Sequence, residues 1–200
     1  MRLAPPSRSQ RRCYRRRMAK AIGKVRFKAK LQRPAAPGGA GWAFVVLPPG
    51  ASAKLPARGM VSVEGRFGGQ PFQATLEPDG AGSHWFKVAQ ALREAAGADA
   101  GDTVEVEVAP VAREPEPEVP ADLREALAAS PAAHATWQDI TPVARRDWIH
   151  WVTSGKKADT RAKRIGTACD KLASGQRRAC CFDRSGMYSK GNMGPPKAAE

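Results

Sequence analysis

Between Gly23 and Gln32 the chain alternates. Val25, Phe27, Ala29 and Leu31 fall on one side and Lys24, Arg26, Lys28 and Lys30 on the other, a period of two that predicts a half-buried β-strand. A Pro/Gly/Ala loop over 34–41 leads to the apolar run Trp42 to Leu47, a strand with both faces covered. After a second loop, 48–56, Met60 to Phe67 places Val61, Val63 and Gly65 on one face. Gly68-Gly69 is a hairpin turn signal, so Phe72 to Leu76 is expected to pair back. Ser83 to Val88 reads as a further strand, and Val88 to Ala96 as a short helix that Gly97 stops. In Thr103 to Ala109, Val104, Val106 and Val108 face inward while Glu105 and Glu107 face out. Many short strands at this spacing predict a small barrel rather than a crossover α/β fold.

The period changes after residue 120. Glu114-Pro115-Glu116-Pro117-Glu118 is a stiff, solvated linker that favours extended geometry. Two short helices are expected over 120–129 and 131–139, with Leu123 and Leu127 on one face and Pro131 as the break. Thr141-Pro142 is a helix start, since Thr caps and Pro needs no N–H partner in the first turn. Ala144, Trp148, Trp151 and Val152 make a helical stripe there. A last helix over 158–174 buries Ala162, Ile165, Cys169 and Leu172. The two tryptophans fit either a base-stacking platform or, more commonly, the core of a small bundle.

Charge changes this picture less than its total suggests. The net charge is +14. Residues 1–17 hold seven arginines and no acid, residues 155–200 hold eleven basic and four acidic side chains, and the stretch between is balanced. The body is neutral, whereas a general DNA packer carries charge on its folded face. Residues 1–17 read as a disordered basic extension, from a mis-called start before Met18, or as an arm that grips phosphates. They lack the apolar core of a secretory signal, and no run approaches the ~20 apolar residues of a spanning helix. A cytoplasmic chain without membrane insertion is expected. The four cysteines, Cys13, Cys169, Cys180 and Cys181, are then free thiols.

Candidate chemistry is sparse. Lys156, Lys157, Arg161, Lys163 and Arg164, with Arg177 and Arg178, are candidate anion-binding residues. Most such charge runs are solvated helix faces. Here the deciding point is whether they converge and lack acidic partners, for which Glu125, Asp139 and Asp147 are at hand. Cys180 and Cys181 are candidate reactive thiols beside Arg177, Arg178 and Arg184. Three scattered histidines, no His-Glu-x-x-His and two adjacent cysteines give no metal site. No nucleophile elbow, phosphate loop or dinucleotide fingerprint is present. No catalytic residue, metal or cofactor is expected, and the chain is read as a non-enzyme.

Several motifs, taken as a set, carry a resemblance. They are Trp42-Ala43-Phe44-Val45-Val46-Leu47-Pro48, Gly59-x-Val61-x-Val63-x-Gly65, Pro71-Phe72-x-x-x-Leu76 and Ala91-Leu92-Arg93-x-x-x-Gly97-x-x-x-Gly101-Asp102-x-Val104. Over residues 22–112 they resemble the barrel domain at the front of many bacterial YdeI/OmpD-associated (bacteriocin-protection) proteins, itself similar to the double-split barrels of the AbrB and MazE type. Trp148-Ile149 and Thr160-Arg161-x-Lys163-Arg164-Ile165 resemble the second module of that family. The resemblance implies a mainly β plus α chain, with a small closed β-barrel (double-split type) and one short helix over 18–112. The linker over 113–119, a helical module of three to four helices over 120–175 and a partly disordered tail over 176–200 follow. The tail carries Phe182, Met187 and Tyr188, and 191–200 is expected to be disordered.

Fold kinship does not carry DNA binding with it, and Glu105 and Glu107 would repel phosphate. The expected function is that of a binding or interaction protein of the stress-protection kind. Its partner is an unknown protein, and it is a monomer or simple dimer. The alternative is a binder of nucleic acid or another polyanion through the basic C-terminal helix.

Overall fold

A computed structural model describes residues 23–35, 42–179 and 194–199. The expectations for residues 1–17 and for Cys180 and Cys181 lie outside these. The described chain forms two compact units, one up to Val111 joined by the segment 194–199, the other from Ala112 onward.

The first unit is a six-stranded antiparallel sheet, curled into a half-barrel. Its strands are β1 (Val25–Lys30), β2 (Trp42–Val46), β3 (Val61–Phe67), β4 (Gln70–Pro78), β5 (His84–Ala89) and β6 (Thr103–Pro110), in the order β1-β6-β3-β4-β5-β2. The closed double-split barrel expected from the resemblance does not appear in full. β1 and β2 are the two edges of the sheet and meet at one isolated bridge, Gln32 with Phe44. The inward rows are those of the alternation: Val25, Phe27, Val63, Phe67, Leu76, Phe86, Val104, Val106 and Val108 form one buried core. Each such side chain contributes about 1.5–3 kcal/mol by leaving water.

Two glycine positions set the shape. A Cβ on Gly65 would lie 1.8 Å from the Glu107 carbonyl oxygen, so β3 and β6 cross this closely only because that atom is missing. Gly marks such sharp bends of a curled sheet. Gly68 and Gly69 have φ of 54° and 83°, the mirror-image turn that matches strand twist.

β2 is buried on both faces. Ala43, Val45 and Leu47 enter the core, while Phe44, only 1% exposed, lies on the other face between Trp42 and Trp85. The loop expected over 48–56 contains a helical turn, α1 (Pro49–Ser52), started by Pro49, whose missing N–H is harmless there. Helix α2 (Gln90–Ala95) follows β5 directly.

The second unit holds four helices among the described residues: α3 (Ala121–Ala128), α4 (Pro131–Asp139), α5 (Pro142–Thr153) and α6 (Ala158–Ala173). Thr141 caps α5 by accepting from the Ala144 N–H. The stripe of Ala144, Trp148, Trp151 and Val152 is buried, with the two indoles edge to face at 6.1 Å. On α6 the buried positions are Ile165, Ala168 and Leu172. Ala162 is exposed and Cys169 only half-buried, so the apolar stripe runs one position away from the expected one. The Pro/Glu segment is not fully solvated: Glu114 is bonded by Arg146 and Glu116 by Arg145.

Candidate functional site

The seven candidate anion-binding residues divide into two groups. Arg161 grips the Asp122 carboxylate at the start of α3 through Nε and Nη2, at 2.5 and 2.9 Å, and that bond holds the carboxyl below its usual range. Arg177 reaches the other end of α4, where it bonds the Asp139 side chain and, at 2.9 Å, its carbonyl. Arg164 donates to the Trp151 carbonyl and to Ser154 Oγ at the end of α5, with its guanidinium 5.2 Å from the Trp151 ring centroid. Arg178 donates to Asp147 at 3.1 Å. Lys156, Lys157 and Lys163 are exposed before and within the first turns of α6.

Arg164 and Arg177 do a common physical job. The last carbonyls of a helix have no intrahelical donor, and cations there also oppose the helix dipole. Arg145, outside the candidate set, does the same for α4: its Nε and Nη2 donate to the Trp137 and Gln138 carbonyls at 2.9 and 2.8 Å. Three arginines, Arg145, Arg164 and Arg177, thus terminate two helices. Asp139 and Asp147 are the acids expected to quench the basic run; the partner of Arg161 is Asp122 rather than Glu125.

A half-buried charge network on α5 went unread in the sequence. Glu114, Arg146, Asp147 and Arg178 run in a chain, with contacts of 2.5, 3.6 and 3.1 Å. Burial raises the Asp147 carboxyl, with Arg146 and then Arg178 opposing the shift. Burial also lowers His150, and the charges of Arg146 and Arg164 lower it further. The signal available in the sequence was Arg145-Arg146-Asp147 following a segment rich in Glu and Pro.

Cys169 is a poor nucleophile, because burial and the nearby Asp170 push its thiol up. Among the described residues no cluster of His, Cys, Asp and Glu could hold a metal ion. None of their helices is long and apolar enough to cross a membrane.

In the β unit, the cations of β1 face acids of β6. Lys24 and Arg26 both pair with Glu107, at 2.7 and 2.5 Å, and Lys28 stands opposite Glu105. A wide cavity of about 650 Å³ adjoins this face. Its polar rim of Lys24, Arg66, Glu64 and Glu107 is balanced in sign, over Pro71 and Phe72. The unit also holds a Ser–His pair, Ser52 with His84, but both side chains are buried, at 1% and 0% exposure. Sealed in this way, the pair ties α1 to β5.

Comparison with known proteins follows the division into units. Residues 116–175 match the model described as Bacteriocin-protection, YdeI or OmpD-Associated. Residues 27–108 match a domain of unknown function, DUF1905. The chain resembles the YdeI/OmpD-associated proteins. The DUF1905 match covers nearly all of the curled sheet and the other match spans all four helices. No curated protein matches the chain significantly.

Proposed function

We propose that this chain is a non-enzymatic interaction protein of the stress-protection kind, in which the helical unit supplies the contact surface for a protein partner. One observation carries the reading: the four arginines of the candidate anion-binding set are engaged within the helical unit. Arg161, Arg177 and Arg178 are paired with Asp122, Asp139 and Asp147, and Arg164 terminates α5. A phosphate-gripping surface works by offering unpaired cations whose counterions are released on binding. Here the guanidinium groups already have carboxylate or carbonyl partners that a nucleic acid would have to displace. Ion pairs of this kind fix the shape of a surface rather than leave it open to a polyanion. The sealed Ser52–His84 pair and the raised Cys169 thiol fit a chain that acts by contact.

The test has two arms. Fluorescence anisotropy with a labelled DNA duplex should show no tight binding near physiological salt. A steep salt slope, about 0.9 log units per phosphate neutralised, that vanishes on Lys156/Lys157/Lys163→Ala would establish the polyanion reading instead. In the second arm, bacteria expressing the chain should survive a bacteriocin challenge better than an empty-vector control. The Arg178→Ala variant should lose part of that advantage at equal protein level. Equal survival of both strains would remove the stress-protection reading.

A further inference from the structure

The segment Lys197–Ala199 lies along Arg33–Ala35 in the first unit, outside the six strands of the sheet. The Ala35 N–H donates to the Lys197 carbonyl and the Ala199 N–H to the Arg33 carbonyl, both at 2.8 Å, around the antiparallel bridge of Pro34 with Ala198. Pro34 occupies the non-hydrogen-bonded position of this bridge, where its missing N–H costs nothing.

The sequence of β1 continues here beyond its regular partner. Leu31 exchanges hydrogen bonds with the Gly101–Asp102 turn that precedes β6, and Gln32 bonds Phe44 on the opposite side. Backbone groups of successive residues point to opposite sides of a strand, and those of alternate residues to the same side. Arg33 and Ala35 therefore turn their N–H and C=O groups to the side of Leu31, beyond the start of β6. Lys197–Ala199 fills the row that β6 does not reach. Its own side chains are exposed, so it is held there by main-chain bonds. Such bonds contribute only about 0.5–1.5 kcal/mol net each.

We propose that Arg33–Ala35 is a strand-addition edge, which receives an extended peptide from a partner protein and is occupied in its absence by Lys197–Ala199. The seated segment shows what fits: a small residue at the position of Ala198 and a free N–H one residue later. Beside Ala198 and Ala199 the cavity wall carries Lys30 and Arg33. Arg33 is held by Asp99, but Lys30 stands exposed opposite Thr103. The partner peptide is accordingly one with an acidic side chain just past its small residues. Sheet augmentation of this kind takes affinity from the main chain and selectivity from flanking side chains. It is independent of the role given to the helical unit.

The test uses the full chain and a peptide with the sequence of residues 194–200. Ala199→Pro removes the N–H that the occupying segment donates while leaving the edge intact. By NMR titration this variant should bind the peptide at least ~10-fold more tightly than the wild-type chain. Amide exchange at Ala35 should be fast in the free variant and slow again with peptide. N-methylation of the peptide at the position of Ala199 should abolish binding, and so should the added edge substitution Ala35→Pro. Replacing the terminal Glu of the peptide by Lys should weaken binding several-fold. The proposal is overturned if Ala199→Pro binds no better than wild type, if the N-methylated peptide binds equally, or if the Lys peptide is bound as well as the Glu one. A concentration-dependent dimer sharing this edge would make a second copy of the chain the occupant and overturn it as well.

Discussion

Ser52 Oγ and His84 Nδ1 lie 2.7 Å apart inside the β unit, and the direction of that bond is fixed by its neighbour. His84 Nε2 sits 3.0 Å from the Gly59 carbonyl, which can only accept. The proton is therefore on Nε2, Nδ1 accepts, and the Ser52 hydroxyl donates. One neutral imidazole joins α1, the loop before β3 and the start of β5.

Burial is the main force on this imidazole and pushes its pKa below the ordinary 6.5, against the raising effect of the Gly59 bond. The unfolded chain then takes up the proton first as pH falls. The contribution of His84 to stability is complete above about pH 6.5 and is lost as pH drops towards the lower folded value. In a Glu77→Gln background, which removes a carboxyl of opposite response, urea denaturation from pH 7.5 down to 5 should show falling stability, and a flat profile there would contradict the assignment. Ser52→Ala, which leaves the buried Nδ1 without a donor, should cost ~1–3 kcal/mol at neutral pH.

One strand away, Glu77 responds in the opposite sense. Burial alone raises its carboxyl from 4.5 to about 7. Here the folded state holds the proton more tightly. The contribution is fully present below about pH 4.5 and is lost as pH rises through 7. Glu77→Gln should therefore stabilise the β unit at pH 8, by ~1–3 kcal/mol, and make little difference at pH 4.5. A carboxyl titration by NMR with a midpoint near the ordinary glutamate value would refute this. His84 loses its contribution as pH falls below about 6.5 and Glu77 loses its own as pH rises from 4.5 through 7, so in the wild-type unit the two oppose each other across this window.

The same substitution at two glycines should act with opposite sign. Gly65→Ala drives a Cβ into the Glu107 backbone, and neither strand can move without breaking the β3–β6 register. A loss of at least ~3 kcal/mol is expected. Gly166 lies in α6 with nothing within 4 Å of its added Cβ. There alanine should stabilise by about 0.5–1 kcal/mol. Thermal denaturation of the two variants decides both.

The periodicities were readable because they are local. Val104, Val106 and Val108 alternate whatever the rest of the chain does, and Thr141-Pro142 starts a helix by its own chemistry. The partners of the cations were not local. Arg161 meets Asp122 across 39 residues and Arg177 meets Asp139 across 38, so no spacing rule links them. Arg161, Lys163 and Arg164 spelled a basic helix face, but only the packing of α3, α5 and α6 turned part of it inward. The Ser52–His84 bond was hidden because Pro48 to Pro56 reads as a loop, and a single helical turn has no periodicity to detect. The return of Lys197–Ala199 was equally illegible, since main-chain pairing leaves no mark in small side chains. Sheet closure depends on how far β1 and β2 curl towards each other, a sum over strand twists that no single motif encodes.

That division among the cations makes the last prediction. Lys156/Lys157/Lys163→Ala removes three exposed charges and none of the helix-terminating donors, so its denaturation midpoint should match wild type within experimental error. Arg164→Ala removes the donor to the Trp151 carbonyl and Ser154 and uncovers the face of an indole that is 94% buried. It should cost ~1–2 kcal/mol, through the lost helix end and the lost packing of its stem. Arg178→Ala leaves Asp147, a carboxylate with a 13% exposed side chain, one cation poorer. In a double-mutant cycle Arg178→Ala should couple to Asp147→Asn, because the Asn side chain needs no counter-charge. If the lysine variant is destabilised as much as Arg164→Ala, the separation of structural arginines from surface lysines fails. If it is not, any activity lost with the three lysines belongs to binding and not to folding.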